Sequence, residues 1–299
     1  MNAPRKFREL LAAGPVACIG AYDGLSARWI DTSGARAVYI SGFAAAAAAF
    51  GYADLGIVSQ TEMAEHIRRI CRCTSLPVIA DADTGFGGAL NVERTVQEWE
   101  RAGAAGLHLE DQGFPKRCGH VAGKTLIPAD EMVLKVKAAL AARENPDFFI
   151  IARTDAIAVN GLADAIDRCK RYADAGADGI FVDAPESVEQ LKEIHEALKG
   201  LGKPLVYNSA RTGKSPVLTE QQLAGLGYPI VLYPIEGLLA SHQAMRAVLT
   251  DIMAAGTTEV AVDRMAGFRD INTLVGLEQH LQREADASRA NPQTTGDRT

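Results

Sequence analysis

Two stretches of the chain put acids where apolar runs stop. Residues 77–87 read Pro-Val-Ile-Ala-Asp-Ala-Asp-Thr-Gly-Phe-Gly, and residues 106–120 read Gly-Leu-His-Leu-Glu-Asp-Gln-Gly-Phe-Pro-Lys-Arg-Cys-Gly-His. Acids crowded at strand ends suit a hard divalent cation, because Mg²⁺ takes a few carboxylates and completes its shell with water and substrate oxygens. Cys118 is flanked by Lys116, Arg117 and His120. Cationic neighbours favour a thiolate, and a histidine there exchanges protons near neutral pH. A metal at the strand ends with an ionisable thiol on the following loop reads as an enzyme site.

The whole chain must position these groups. Its 299 residues, 47% hydrophobic and 23% charged, are those of an ordinary globular protein, and an α/β barrel fills this length as one domain. The net charge of −6 argues against a nucleic-acid surface. No apolar run approaches the roughly 18 residues of a spanning helix, so no membrane association is expected. Arg5, Lys6, Arg8 and Glu9 lead into no long apolar run or cleavage site, so no signal peptide is expected. Cys18, Cys71, Cys73, Cys118 and Cys169 form no framework, which suits the reducing cytoplasm. The Cys71–Cys73 pair lacks a second Cys or His pair nearby and reads as two helix-face thiols rather than a zinc site.

A unit of helix, glycine and apolar run recurs. Gly34, Gly103, Gly176 and Gly227 each end a helical pattern as left-handed terminators, and a short apolar run follows each. Eight such runs stand at 16–20, 37–41, 77–80, 106–109, 148–152, 179–182, 204–207 and 230–233. Amphipathic segments lie near 24–33, 60–73, 91–102, 129–143, 161–175, 187–199, 219–226 and 236–254. Continuous apolar strands are those of a parallel sheet covered by helices, and eight alternations predict a (β/α)₈ TIM-type barrel. No Gly-x-Gly-x-x-Gly follows the first strand, so the dinucleotide-binding alternative lacks its fingerprint.

Barrel active sites form at the C-terminal strand ends. Those ends offer Tyr22 and Asp23, Ser41 and Gly42, Asp81 and Asp83, Glu110 and Asp111, Arg153 and Asp155, Asp183, Asn208 and Ser209, and Tyr233. The run Ala44 to Ala49 after Phe43 either lets backbone approach a ligand or another chain, or is a plain surface helix. Val262, Met265, Phe268, Ile271, Leu274, Leu277 and Leu281 continue at helical spacing through 255–281, an apolar face that calls for another subunit. One domain is expected over 1–287, with a polar, disordered tail at 288–299.

Ala-Tyr-Asp-Gly-Leu-Ser-Ala at 21–27, Asp-Ala-Asp-Thr-Gly-Phe-Gly at 81–87, His-Leu-Glu-Asp-Gln at 108–112, Lys-Arg-Cys-Gly-His at 116–120, Ala-Arg-Thr-Asp at 152–155 and Leu-Tyr-Pro at 232–234 stand in family order. With them the chain resembles the isocitrate lyase/phosphoenolpyruvate mutase superfamily, in particular its lyase branch of 2-methylisocitrate and 2,3-dimethylmalate lyases. The resemblance implies extra C-terminal helices exchanged between subunits of a homotetramer. It implies Mg²⁺ (or Mn²⁺) on Asp81 and Asp83, with Glu110 holding metal-bound water. It places Cys118, His120 and Arg153 in catalysis, Cys118 as the acid. It gives Tyr39, Ser41, Gly42, Phe43, Gly119, Asp183, Asn208, Ser209 and Arg211 to a small-molecule carboxylate substrate. The implied reaction splits a 2-hydroxy di- or tricarboxylate into a keto acid, pyruvate or glyoxylate, and a second carboxylate. Phosphonate mutase or hydrolase chemistry and an oxaloacetate-type hydrolase or decarboxylase are the alternatives, and a third is a barrel kept only for binding or assembly.

The chain departs from the pattern in three places. Asp183 stands where many members have glutamate, Arg211 where methylisocitrate lyases have an acid, and Leu238 and Leu239 where they carry a carboxylate-binding arginine. A missing cation disfavours a tricarboxylate, since an unpaired buried carboxylate is costly. Either Arg211 compensates from another direction, or the substrate is a dicarboxylate such as an alkyl malate.

Overall fold

The structure, a computed structural model, describes residues 2–118, 123–210 and 215–290. Eight strands, β1 (Val16–Gly20), β2 (Ala37–Ile40), β3 (Val78–Asp81), β4 (Gly106–Glu110), β5 (Phe149–Thr154), β6 (Gly179–Val182), β7 (Leu205–Asn208) and β8 (Ile230–Tyr233), close one parallel barrel in chain order. The expected runs coincide with them to within a residue or two at each end, and the four anticipated glycines all take left-handed conformations.

Helix starts are set by side chains. Ser59 with Glu62 and Thr219 with Gln222 form capping boxes before Gln60–Cys71 and Glu220–Gly225. Asp23 does the same with Ser26 before Gly24–Thr32, so it is a helix cap and not a member of the strand-end ring. Tyr233 also leaves the ring, because its hydroxyl donates to Glu220 Oε1 at 3.4 Å.

Two apolar layers result. One lies between strands and helices and includes Trp99, Ile67, Met132 and Tyr172. The other fills the barrel with Val16, Ile79, Phe149, Ile151, Phe181, Val206, Ile230 and Leu232, and Phe7 completes it. Phe7 comes from a helix, Ala3–Ala12, that the sequence reading missed behind its run of charges. Its ring meets Phe149 edge-on at 5.2 Å, and Arg8 lies over the same Phe149 ring while pairing with Asp178 at 2.9 Å.

Asp111 braces the wall. Its carboxylate accepts from Thr154 Oγ1, Tyr172 Oη, Arg168 Nη1 and the Asp155 N–H, at 2.7, 2.7, 3.1 and 3.0 Å. It therefore ties β4 to β5 and to Leu162–Asp174, and its oxygens are used up in structure.

The chain divides into two compact units, residues 1–239 and 240–299. In the second, the helical stretch expected over 255–281 is broken into a 3₁₀ turn Glu259–Arg264 and helices Phe268–Leu274 and Leu277–Ala290. Gly256 and Gly276 take positive φ at two of the breaks. The last helix runs past Ser288, and residues 291–299 lie outside the described ones. The run at 44–49 is helical, with Ala44, Ala45 and Ala46 buried and the next three alanines exposed.

Phe7 is fully buried at the barrel end away from the acids. Phe7→Ala should lower unfolding stability by about 3–5 kcal/mol, read as a lower urea midpoint with an unchanged slope.

Candidate active site

Most of the strand-end side chains converge. A cavity of about 240 Å³ is lined by Tyr39, Ser41, Phe43, Asp81, Cys118, Arg153, Asp183 and Asn208, together with Asp54, Lys116, Ala210, Pro234 and Ile235. Asp83 and Glu110 stand beside it through ion pairs to Lys116 and Arg153. Gly119, His120 and Arg211 lie outside the described residues.

Asp81 ends β3 and is held on both oxygens. The Gly42 N–H donates to Oδ2 at 3.0 Å and the Asp83 N–H to Oδ1 at 2.9 Å. Gly42 is thus committed to shaping the acid site, and a Cβ there would stand 2.9 Å from Asp81 Oδ2 and 3.0 Å from Asp83 Oδ1. Asp83 itself has φ +46, a left-handed conformation that Asp tolerates better than most residues and that turns its carboxylate back beside Asp81. Burial pushes its carboxyl up to about 6, Asp81 and Asp54 add to the rise, and Lys116 opposes it. Burial also works on Asp81, but His108, Lys116 and Arg153 outweigh it and hold that carboxyl below its usual value.

Three cations divide the acids. Lys116 Nζ lies 2.6 Å from Asp54 Oδ1 and 2.8 Å from Asp83 Oδ1. Arg153 grips Asp155 through Nε and Nη2 at 2.9 and 3.0 Å, and reaches Asp183 at 3.2 Å and Glu110 at 3.4 Å. Lys124 lies 2.8 Å from Asp155 and 3.8 Å from Asp183. Burial penalises Lys116, yet Asp83, Glu110, Asp81 and Asp54 hold its ammonium well above the usual lysine range. Burial pushes Glu110 well above the ordinary carboxylate range against the pull of Arg153.

Behind the acids, Tyr39 Oη and His108 Nε2 are 2.7 Å apart. Burial pulls His108 down to about 4 and raises Tyr39, so at neutral pH a protonated phenol lies against an uncharged imidazole, and the imidazole tautomer sets which of the two donates.

The sequence reading missed Asp54, Lys124 and the inward turn of Lys116. Asp54 follows the alanine run with no local pattern to mark it. Lys116 and Lys124 bracket the cysteine loop, and that spacing was the available signal. The backbone on either side of the loop is joined where the Gly113 N–H donates to Thr125 O and the Ile127 N–H to Asp111 O.

Among the described residues no three His, Cys, Asp or Glu side chains already form a metal cluster. The donor chemistry nevertheless fits a hard divalent cation. Five carboxylates share three cations, Asp81 stands 3.6 Å from His108, and Glu110 Oε1 is buried with no hydrogen-bond partner. Such acid-rich surroundings match a hard divalent cation better than a softer ion.

Comparison with known proteins agrees with this geometry. Residues 7–253 match the family model described as phosphoenolpyruvate phosphomutase. The chain is 42% identical to 2,3-dimethylmalate lyase of Eubacterium barkeri over 93% of this chain and 96% of that protein. It is also 42% identical to 2-methylisocitrate lyase of Aeropyrum pernix, over 90% and 86%. A crystal structure of 2,3-dimethylmalate lyase superposes with a TM-score of 0.91 at 33% identity, covering 100% of this chain and 99% of that one. Oxaloacetate acetylhydrolase bound to 3,3-difluorooxalacetate gives 0.90 at 33%, covering 96% and 97%. Fold, strand-end acids and these similarities lead to one conclusion: the chain belongs to the phosphoenolpyruvate mutase/isocitrate lyase superfamily.

Proposed function

We propose that the chain is a divalent-metal-dependent carbon–carbon lyase that cleaves a 2-hydroxy di- or tricarboxylate into a keto acid and a second carboxylate. The observation that carries this reading is that Cys118 lines the same cavity as Asp81, Arg153 and Asp183, so a thiol faces the acid-rich end of the barrel. Relatives named as lyases at 42% identity support it.

Asp81 and Asp83 would hold Mg²⁺ or Mn²⁺, with Glu110 close to its water shell. When bound, the ion supplies Lewis acidity to a hydroxyl and a carboxylate oxygen of the substrate. The chain's own groups do the rest. Arg153, oriented by its two bonds to Asp155, presents guanidinium charge toward the substrate's oxygens. Ser41, at the end of β2, lines the cavity with a hydroxyl that can donate to a carboxylate. Asn208 Oδ1 is buried without a partner and offers an acceptor to a substrate hydroxyl. C–C cleavage leaves a carbanion beside a carboxylate, and the Cys118 thiol is a suitable acid to protonate it. Phe43, Ala210, Pro234 and Ile235 give the cavity an apolar side, which favours an alkyl-bearing substrate and keeps water from the carbanion.

A homotetramer with exchanged C-terminal helices is part of the same reading. The helix Glu236–Ala255 buries none of its residues, and Met245, Leu249 and Met253 are exposed along it. On the barrel, the outer side of β1 is half open at Ala17 and Ile19 above a groove of about 330 Å³. Exposed apolar surface of this kind supports a contact between copies. Light scattering should return four chain masses, and a monomer at micromolar concentration would contradict it.

A second reading, hydrolysis of oxaloacetate or phosphorus–carbon chemistry, draws on the similarity to oxaloacetate acetylhydrolase and on the family model's own description. One panel separates the readings: 2-methylisocitrate, alkyl malates, oxaloacetate and phosphonopyruvate with Mg²⁺, followed by a keto-acid reductase and by phosphorus NMR. The lyase reading expects keto acid from a hydroxy acid, its loss with chelator and its return with Mg²⁺ or Mn²⁺; no keto acid from any hydroxy acid would refute it. Cys118→Ser should lower kcat by at least about 10²-fold, the scale of general acid catalysis, while calorimetry still detects substrate binding. An unchanged rate removes the thiol from the mechanism.

A further inference from the structure

Lys116 stands against one of the two acids expected to meet the metal. Its Nζ is 2.8 Å from Asp83 Oδ1 and 2.6 Å from Asp54 Oδ1, and its side chain is only 4% exposed. A divalent ion bound through Asp83 would lie about 2.1 Å from a carboxylate oxygen. With the ammonium left in place, two positive charges would then stand a few ångströms apart beside side chains only 4% and 15% exposed, where their repulsion is less screened than in water. Among the described residues the other two cations cannot take over this place, because Arg153 and Lys124 are spent on Asp155, Asp183 and Glu110.

The same geometry supplies an exit. Asp54 already holds Lys116 by the shorter contact and can keep it when Asp83 is given up. We propose that Lys116 is a resident counter-ion of the metal site, offsetting one of the two negative charges of Asp54 and Asp83 before metal arrives and exchanging with the divalent cation at Asp83 while Asp54 retains the ammonium. The lysine thereby lowers metal affinity and keeps the metal-free site from being a cluster of uncompensated acids. This inference rests on the metal reading given above for Asp81 and Asp83.

The test needs no substrate. Wild-type protein, Lys116→Met and Lys116→Gln are stripped with chelator and titrated with Mn²⁺ by calorimetry, and their melting is followed with and without Mn²⁺. Removing a nearby positive charge should tighten Mn²⁺ binding by about tenfold or more in both variants. Both variants should melt below the wild type when metal-free and gain more from Mn²⁺ than it does. Should neither variant fold, the wild type alone still decides: acylation of Lys116 by an amine reagent, read by mass spectrometry, should rise when Mn²⁺ binds. Equal or weaker affinity in the variants, or labelling that Mn²⁺ leaves unchanged, overturns the exchange. If neither wild type nor variants bind Mn²⁺, the metal reading itself falls with it.

Discussion

Six carboxylates and three cations meet at one end of a barrel, most of them shut away from water. Buried charge is tolerated only where each group is paired or hydrogen-bonded, and this requirement governs much of the surrounding architecture. Asp111 holds Thr154 and the Asp155 N–H, Asp155 orients Arg153, and Arg153 separates Glu110 from Asp183. Gly42 and the left-handed turn at Asp83 let two carboxylates approach each other. The negative excess that remains is the physical reason a divalent cation belongs there.

The barrel was legible because its units repeat. Apolar runs between glycine-terminated helical segments fixed the strand number, and the observed strands differ from the expected ones only at their ends. The helix carrying Phe7 escaped notice because Arg5, Lys6, Arg8 and Glu9 hide a short apolar stripe whose purpose shows only once the barrel interior exists. The C-terminal stretch was read as one helix because its apolar positions keep helical spacing, yet glycines at 256 and 276 interrupt it.

The site was legible to the extent that its residues sit at strand ends. Asp81, Glu110, Arg153, Asp183 and Asn208 end or follow strands, and the fold alone gathers them. Asp23 and Tyr233 share that placement, but their neighbours Ser26 and Glu220 divert them to capping and surface hydrogen bonding. Asp54 could not be read out, since it acts through a partner far away in sequence that no local pattern records, and Lys124 showed only as the far end of the cysteine loop, its partners Asp155 and Asp183 being equally remote. Lys116 shows the same limit differently. Adjacency suggested that it acts on Cys118, whereas burial turns it toward Asp54 and Asp83.

The central claim is that this acid-rich mouth breaks a carbon–carbon bond and that a proton is then delivered to the carbanion left behind. Turnover of an alkyl malate or methylisocitrate in D₂O, with products read by NMR, tests it directly. The account predicts a keto acid and a carboxylate carrying one deuterium at the carbon where the bond broke, because a thiol proton exchanges with solvent before it is delivered. Keto acid formed with no deuterium at that carbon, or no cleavage of any hydroxy acid in the presence of Mg²⁺, would contradict it.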